Sequence, residues 1–151
     1  IFMAFIPKDK WDETFRLVPR LSVDAIYIKN GNVLLVQRSH EPFKGFWITP
    51  GGFVDKGERC AAAAEREFFE ETGLRGRATE ILEIYDDPGR DPRGHVVTVA
   101  YLIENATGEV RVSEESFDVK FFPVDALPED TTEDSKEMVR DALRILERSK
   151  S

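Results

Sequence analysis

Between Gly52 and Leu74 the chain reads G-F-V-D-K-G-E-R-C-A-A-A-A-E-R-E-F-F-E-E-T-G-L. No other stretch limits the fold as much. Ala61 to Ala64 are strong helix formers, and nothing before Gly73 breaks the run. Gly73 suits the left-handed position just past a helix end. Asp55, with Glu58 three residues on, is expected to cap the helix start as a capping box. Within the helix Glu67, Glu70 and Glu71 stand at i, i+3 and i+4. At about 100° per residue they share one arc of its surface. Carboxylates held that close repel one another unless a cation sits among them. Oxygen-only ligands of this kind suit Mg²⁺, with Mn²⁺ the alternative, and not zinc. The bland reading of the cluster is a solvated acidic face. It explains neither the two glycines that lead in nor Arg66 among the glutamates.

The flanks read as alternating strands and turns. Residues 4–20 hold Trp11, Phe15, Leu17 and Val18 at helical spacing, which predicts a short helix covering the core or a partner subunit. A sharper reading sets Trp11 or Phe15 against a nucleotide base. Ser22 to Lys29 alternates, Asn30-Gly31 is a two-residue hairpin signal, and Asn32 to Arg38 returns as a central strand. Ala78 to Tyr85 and His95 to Ile103 read as strands, the second the clearest in the chain. Asn105 to Gly108 is expected to turn, Val110 to Val112 and Val119 to Val124 to form short strands. Met138, Val139, Ala142, Leu143, Ile145 and Leu146 make one apolar stripe on a helix from Thr132 to Arg148. Strands on both sides of a central helix, plus a terminal helix, imply an α/β fold with a mixed sheet between helical layers. The 151 residues, without repeat or linker, suggest a single domain over 1–151 with residues 1–20 as an N-terminal extension. Ile1 and Phe2, ahead of Met3, are set aside as a remnant.

Composition narrows the partners. A net charge of −8 argues against binding a nucleic acid polymer, though not against a phosphorylated small molecule bridged by a metal. No apolar run approaches a membrane span and no secretory pattern opens the chain. The single cysteine, Cys60, fits a reducing compartment, so a cytoplasmic location is expected. The two histidines, His40 and His95, are not spaced like zinc ligands.

Gly52, Glu58, Arg66, Glu67, Phe68, Glu70, Glu71, Gly73 and Leu74 match, position by position, the signature G-x5-E-x7-R-E-U-x-E-E-x-G-U, with U apolar. The chain therefore resembles the Nudix hydrolases. The resemblance implies a Nudix-type α/β/α sandwich and hydrolysis of phosphoric anhydrides. It further implies metal binding by Glu67, Glu70 and Glu71, with the Gly52 carbonyl and, in some relatives, the residue matching Glu58. Arg66 takes the role of orienting a box glutamate. The general base is left among Glu115, Glu71 and Glu114; the loop bearing Glu114 and Glu115 lies where some relatives keep a catalytic acid, and Glu115 is preferred. Relatives usually have Leu where Thr49 stands, a departure expected to affect packing more than chemistry.

The segment from Asp86 to Tyr101, D-D-P-G-R-D-P-R-G-H-V-V-T-V-A-Y, and the E-P-F-K-G-F-W run resemble small prokaryotic ADP-ribose pyrophosphatases. The implied reaction is ADP-ribose plus water to AMP plus ribose 5-phosphate. Arg38, Arg90, Arg93 and His95 are the candidate contacts to diphosphate or ribose, and Phe43 and Trp47 the candidate stacking rings. Many relatives are homodimers, so a homodimer is the expected assembly. Rival readings are a GDP-mannose or other nucleotide-sugar hydrolase, a nucleoside triphosphate pyrophosphohydrolase and a non-catalytic nucleotide sensor.

Overall fold

The structure is a computed structural model and describes residues 6–150; the remnant expected at Ile1 and Phe2 lies outside them. Three helices and eight strands follow in the order α1 Lys8–Leu17, β1 Arg20–Ile26, β2 Ile28–Lys29, β3 Asn32–Arg38, β4 Trp47–Ile48, β5 Gly51–Phe53, α2 Cys60–Thr72, β6 Leu74–Tyr85, β7 Val96–Gly108, β8 Ser116–Pro123 and α3 Glu133–Arg148.

The strands divide into two sheets. One runs β5-β1-β7-β6, with β1 parallel to β7 and antiparallel to β5. The other centres on β3, which pairs antiparallel with β2, β4 and β8. Helices α2 and α3 cover opposite faces, and consecutive strand residues show it. Ala25, Leu34 and Ile103 pack with Phe68 of α2, whereas their neighbours Ile26, Leu35 and Leu102 pack with Met138 and Val139 of α3. Strand side chains alternate in direction, so a strand covered on both faces must be apolar at successive positions. Fully burying Met138 or Val139 contributes about 1.5–3 kcal/mol each. Tyr85 adds a polar tie, donating its hydroxyl to Asp141 on α3 at 2.7 Å.

The hairpin at Asn30-Gly31 forms as expected, with φ of 52° and 76° at the two turn residues. Gly73 caps α2 with φ 80°. The start of α2 corrects the sequence reading: Arg59, not Asp55, precedes the helix, and it makes no side-chain cap. Gly57 explains this, since its φ of 84° cannot continue into a helix and closes residues 55–58 as a separate turn. Glu58 still reaches back to the Asp55 N–H at 3.1 Å. Three further expectations change. Residues 105–108 continue β7 instead of turning, residues 110–112 join no strand, and β6 begins at Leu74 directly after the helix. The β6–β7 ladder absorbs its length through three register shifts.

Helix α1 buries none of its residues completely. It is held by rings: Trp11, Phe15 and Phe53 meet edge to face at centroid distances of 5.1–5.8 Å. The Arg20 guanidinium lies 3.4 Å from the Trp11 centroid and 4.3 Å from that of Phe53.

Candidate active site

Arg66 brings a positive charge among the box glutamates. Its Nε and Nη2 grip Glu58 at 2.7 and 3.0 Å, while Nη1 donates to Glu67 at 2.9 Å and to Glu70 at 3.2 Å. Nη2 also reaches the Phe53 carbonyl at 3.3 Å. Arginine's planar fork permits this, and a lysine could not serve so many acceptors. The hydrogen bond with Glu58, then the charge of Glu67, stabilise the guanidinium against the burial that opposes it. In return Arg66 holds the Glu58 carboxyl below its ordinary range. Glu58, one of the expected metal ligands, serves Arg66 with both oxygens in this arrangement.

Two glycines let the backbone approach the carboxylates. A Cβ on Gly52 would lie 2.5 Å from the Glu67 carboxylate, so no other residue fits there without displacing it. The Gly51 N–H donates to Glu71 at 2.7 Å, and a Cβ on Gly51 would collide with the Asp24 carboxylate. Burial, opposed by Arg66, pushes Glu67 up to about 7. Glu71 is pushed well above the usual range, first by burial and then by the Glu67 charge.

Asp24 is the site residue that sequence reasoning missed. It sits in β1 opposite Gly51, accepts the Thr49 hydroxyl at 2.8 Å, and is pushed up to about 7 by burial. Thr49 is fully buried and partners this carboxylate, so its departure from Leu, expected to affect packing more than chemistry, also sets a polar contact at the site.

Opposite the helix, the segment bearing Glu115 is tethered at two points. Its start docks on the end of α2, where the Arg111 N–H donates to the Thr72 carbonyl at 2.8 Å and Arg75 and Arg111 flank the Phe69 ring. Its end is held by the Ser39 hydroxyl, which donates to the Glu115 carbonyl at 2.6 Å. The Glu115 carboxylate acts on both Glu67 and Glu71, raising each. Glu114 is exposed.

The expected phosphate contacts divide. Arg38 lies at the end of β3, its Nε on the Pro42 carbonyl at 2.6 Å. Burial and then Arg93 lower its pKa, opposed by the charges of Glu71, Asp91 and Asp24. Arg93 is paired with Asp91, with Nη2 at 2.9 Å and Nε at 3.1 Å, and lies over Phe15 and Phe53. Arg90 is committed elsewhere: it donates to Asp134 at 2.9 Å and to Thr98, and its side chain is 15% exposed. This corrects its assignment as a free substrate contact. His95 closes its own loop through the Asp86 carbonyl at 3.1 Å. Trp47 is also corrected, being 7% exposed with its ring against Phe122 in the core. Trp11 and Phe15 carry the Arg20 guanidinium against their rings. Phe43 is open to solvent.

Whether the site suits a divalent cation turns on its donors. They are oxygens only, and burial and like charge raise Glu67 and Glu71, an excess of negative charge that a hard cation would relieve. The donor chemistry fits. Among the described residues no three acidic, histidine or cysteine side chains converge as a ready cage, because Arg66 takes oxygens of Glu67 and Glu70 and Glu71 turns to Gly51.

Comparison with known proteins agrees with this geometry. The family profile described as NUDIX domain matches residues 18–142. The chain is 37% identical over 128 residues to an ADP-ribose pyrophosphatase of Methanocaldococcus jannaschii, covering 85% of this chain and 75% of that one. Its fold is similar to a MutT NUDIX hydrolase from Burkholderia pseudomallei, with TM-score 0.76, 30% identity, and coverage of 82% of this chain and 98% of that one. It is also similar to the NUDIX domain of Shewanella oneidensis NrtR complexed with ADP ribose, with TM-score 0.75, 29% identity, and coverage of 95% and 94%.

Proposed function

The chain belongs to the NUDIX family and is a pyrophosphohydrolase of that family, and from this premise we propose that it hydrolyses ADP-ribose to AMP and ribose 5-phosphate. One observation carries the reading. Arg38 feels the charges of Arg93 on one side of the balance and of Glu71, Asp91 and Asp24 on the other, so cationic and acidic groups influence one another at this site. A diphosphate needs both: arginines for its oxygens, and carboxylates to hold a counter-cation. The similarity to a pyrophosphatase and to a domain complexed with ADP ribose supports that substrate.

In this reading Glu67, Glu70, Glu71 and the Gly52 carbonyl would hold Mg²⁺, which would neutralise diphosphate charge and favour ionisation of water. The remaining work belongs to side chains. Arg66 keeps Glu67 and Glu70 in place. Arg38 orients the diphosphate, and Arg93, paired with Asp91, adds positive charge beside it. Glu115 takes a proton from the attacking water as its oxygen bonds to phosphorus and the bridging phosphorus–oxygen bond breaks. The bridging oxygen leaves with the second phosphate. Glu71 is less suited to this step, because its Oε2 is engaged by the Gly51 N–H.

The test is turnover of ADP-ribose, GDP-mannose, NADH and nucleoside triphosphates in Mg²⁺, read as phosphate released by an added phosphatase. ADP-ribose cleaved fastest, to AMP, is the expected result. Faster cleavage of another compound replaces the substrate, and binding without turnover on the whole panel replaces the enzyme by a sensor.

A further inference from the structure

We propose that Phe43 and Phe46 form the platform on which the substrate's nucleobase stacks. The inference rests on the reading of Arg38 as a phosphate contact. A nucleotide needs an aromatic or apolar face one nucleoside away from its phosphates. Most rings near the site are already used. Trp11, Phe15 and Phe53 close on one another and on Arg20, and Trp47 is packed against Phe122. Phe43 and Phe46 remain 43% and 39% exposed, their centroids 6.1 Å apart at 70°. One ring can offer a face while the other supports its edge.

The loop that carries them is built around Arg38. The Arg38 N–H donates to the Phe46 carbonyl at 2.9 Å, its carbonyl accepts from Gly45 at 2.8 Å, and its Nε reaches Pro42 at 2.6 Å. Gln37 adds a bond from Nε2 to the Gly45 carbonyl at 3.0 Å. The proposed phosphate contact is thus bonded to the residue just before Phe43. Phe43 itself has φ 64°, a left-handed conformation that a bulky side chain rarely adopts. A strained backbone that holds a large apolar ring in water contributes nothing to the core. It does hold Phe43 in a loop that is bonded to the arginine.

The experiment is calorimetric binding of the two products, AMP with the base and ribose 5-phosphate without it. The proteins are wild type, Phe43→Leu, Phe43→Tyr, Phe46→Leu and the control Phe117→Leu, which alters another exposed ring. Loss of one stacking partner predicts about tenfold weaker AMP binding in both loop leucine variants, with ribose 5-phosphate unchanged. Phe43→Tyr restores AMP affinity, and Phe117→Leu leaves it alone. Equal AMP affinity in all proteins, including none, overturns the platform, as does equal loss of both products. Two positions are tested, so misfolding of one variant leaves the other to decide. Failure of the wild type to cleave ADP-ribose while AMP binding still depends on the rings would overturn the proposed reaction and keep the platform.

Discussion

Thr49 donates its hydroxyl to the Asp24 carboxylate at 2.8 Å, beside the glycine pair that leads into the acidic helix. A threonine whose hydroxyl faces a carboxylate is doing more than filling space. Its bond favours the charged form of Asp24, against burial that pushes the carboxyl up to about 7. Thr49→Val keeps the shape and deletes the donor. The loss is expected to be about 1–3 kcal/mol at pH 8, where Asp24 is charged, and smaller at pH 5.5, where it is protonated. Urea denaturation at the two pH values decides it; equal losses would show that the charge of Asp24 is irrelevant.

Stability of the metal-free protein should fall as pH rises. Burial pushes Glu67 and Asp24 up to about 7, above their ordinary values of 4.5 and 3.8, and pushes Glu71 well above its ordinary value too. The folded state therefore binds more protons than the unfolded state from about pH 4 to 7. Their contribution is fully present below pH 4 and lost as pH climbs through 7. For Glu67, whose side chain is 16% exposed, the change is about 3 kcal/mol. Thermal unfolding in chelator is expected to show a lower Tm at pH 8 than at pH 5.5. Glu67→Gln should flatten that slope, and an unchanged slope would remove Glu67 from the account.

Arg66 is expected to tolerate no replacement. Arg66→Lys keeps the charge but loses the fork that holds Glu58, Glu67 and Glu70 together. Turnover should fall by about a hundredfold, and Arg66→Ala should further destabilise the fold by about 3 kcal/mol by stranding partly buried carboxylates. Full kcat in Arg66→Lys would reduce the residue to a point charge.

Glu115→Gln should lower kcat by two orders of magnitude or more while changing KM less than threefold, because a general base acts in the transition state. Glu114→Gln, which alters an exposed neighbour, should stay within threefold of wild type. The reverse pattern would move the base by one residue.

Glu70→Gln and Glu71→Gln should each abolish Mg²⁺-dependent turnover and leave the fold intact, as read by circular dichroism. Undiminished activity in either would end that residue's assignment as a metal ligand.

Much of this site is legible in the sequence, and the limits have physical causes. The spacing of Glu67, Glu70 and Glu71 on a helix follows from its period, and Asn30-Gly31 and Gly73 follow from backbone conformations that few residues adopt. Asp24 is different. A lone acid in an alternating strand reads as a solvent-facing residue, but β1 lies between β5 and β7 with helices on both faces, a fact only tertiary structure supplies. Arg90 and Arg93 look equivalent in the loop; Arg90 is taken by Asp134, 44 residues away, and Arg93 by its near neighbour Asp91. The capping of α2 failed as a prediction because one left-handed glycine, Gly57, separates the turn from the helix.

The tethering of the Glu115 segment, to Thr72 at its start and Ser39 at its end, separates freedom of sequence from freedom of length. Val110 and Val112 point into solvent and can vary widely. An inserted residue has to bulge between the two anchors or break one of them, and breaking the Ser39 tether releases Glu115. Drift in this loop should therefore proceed by substitution, and a change in its length should accompany a change in which residue takes the proton.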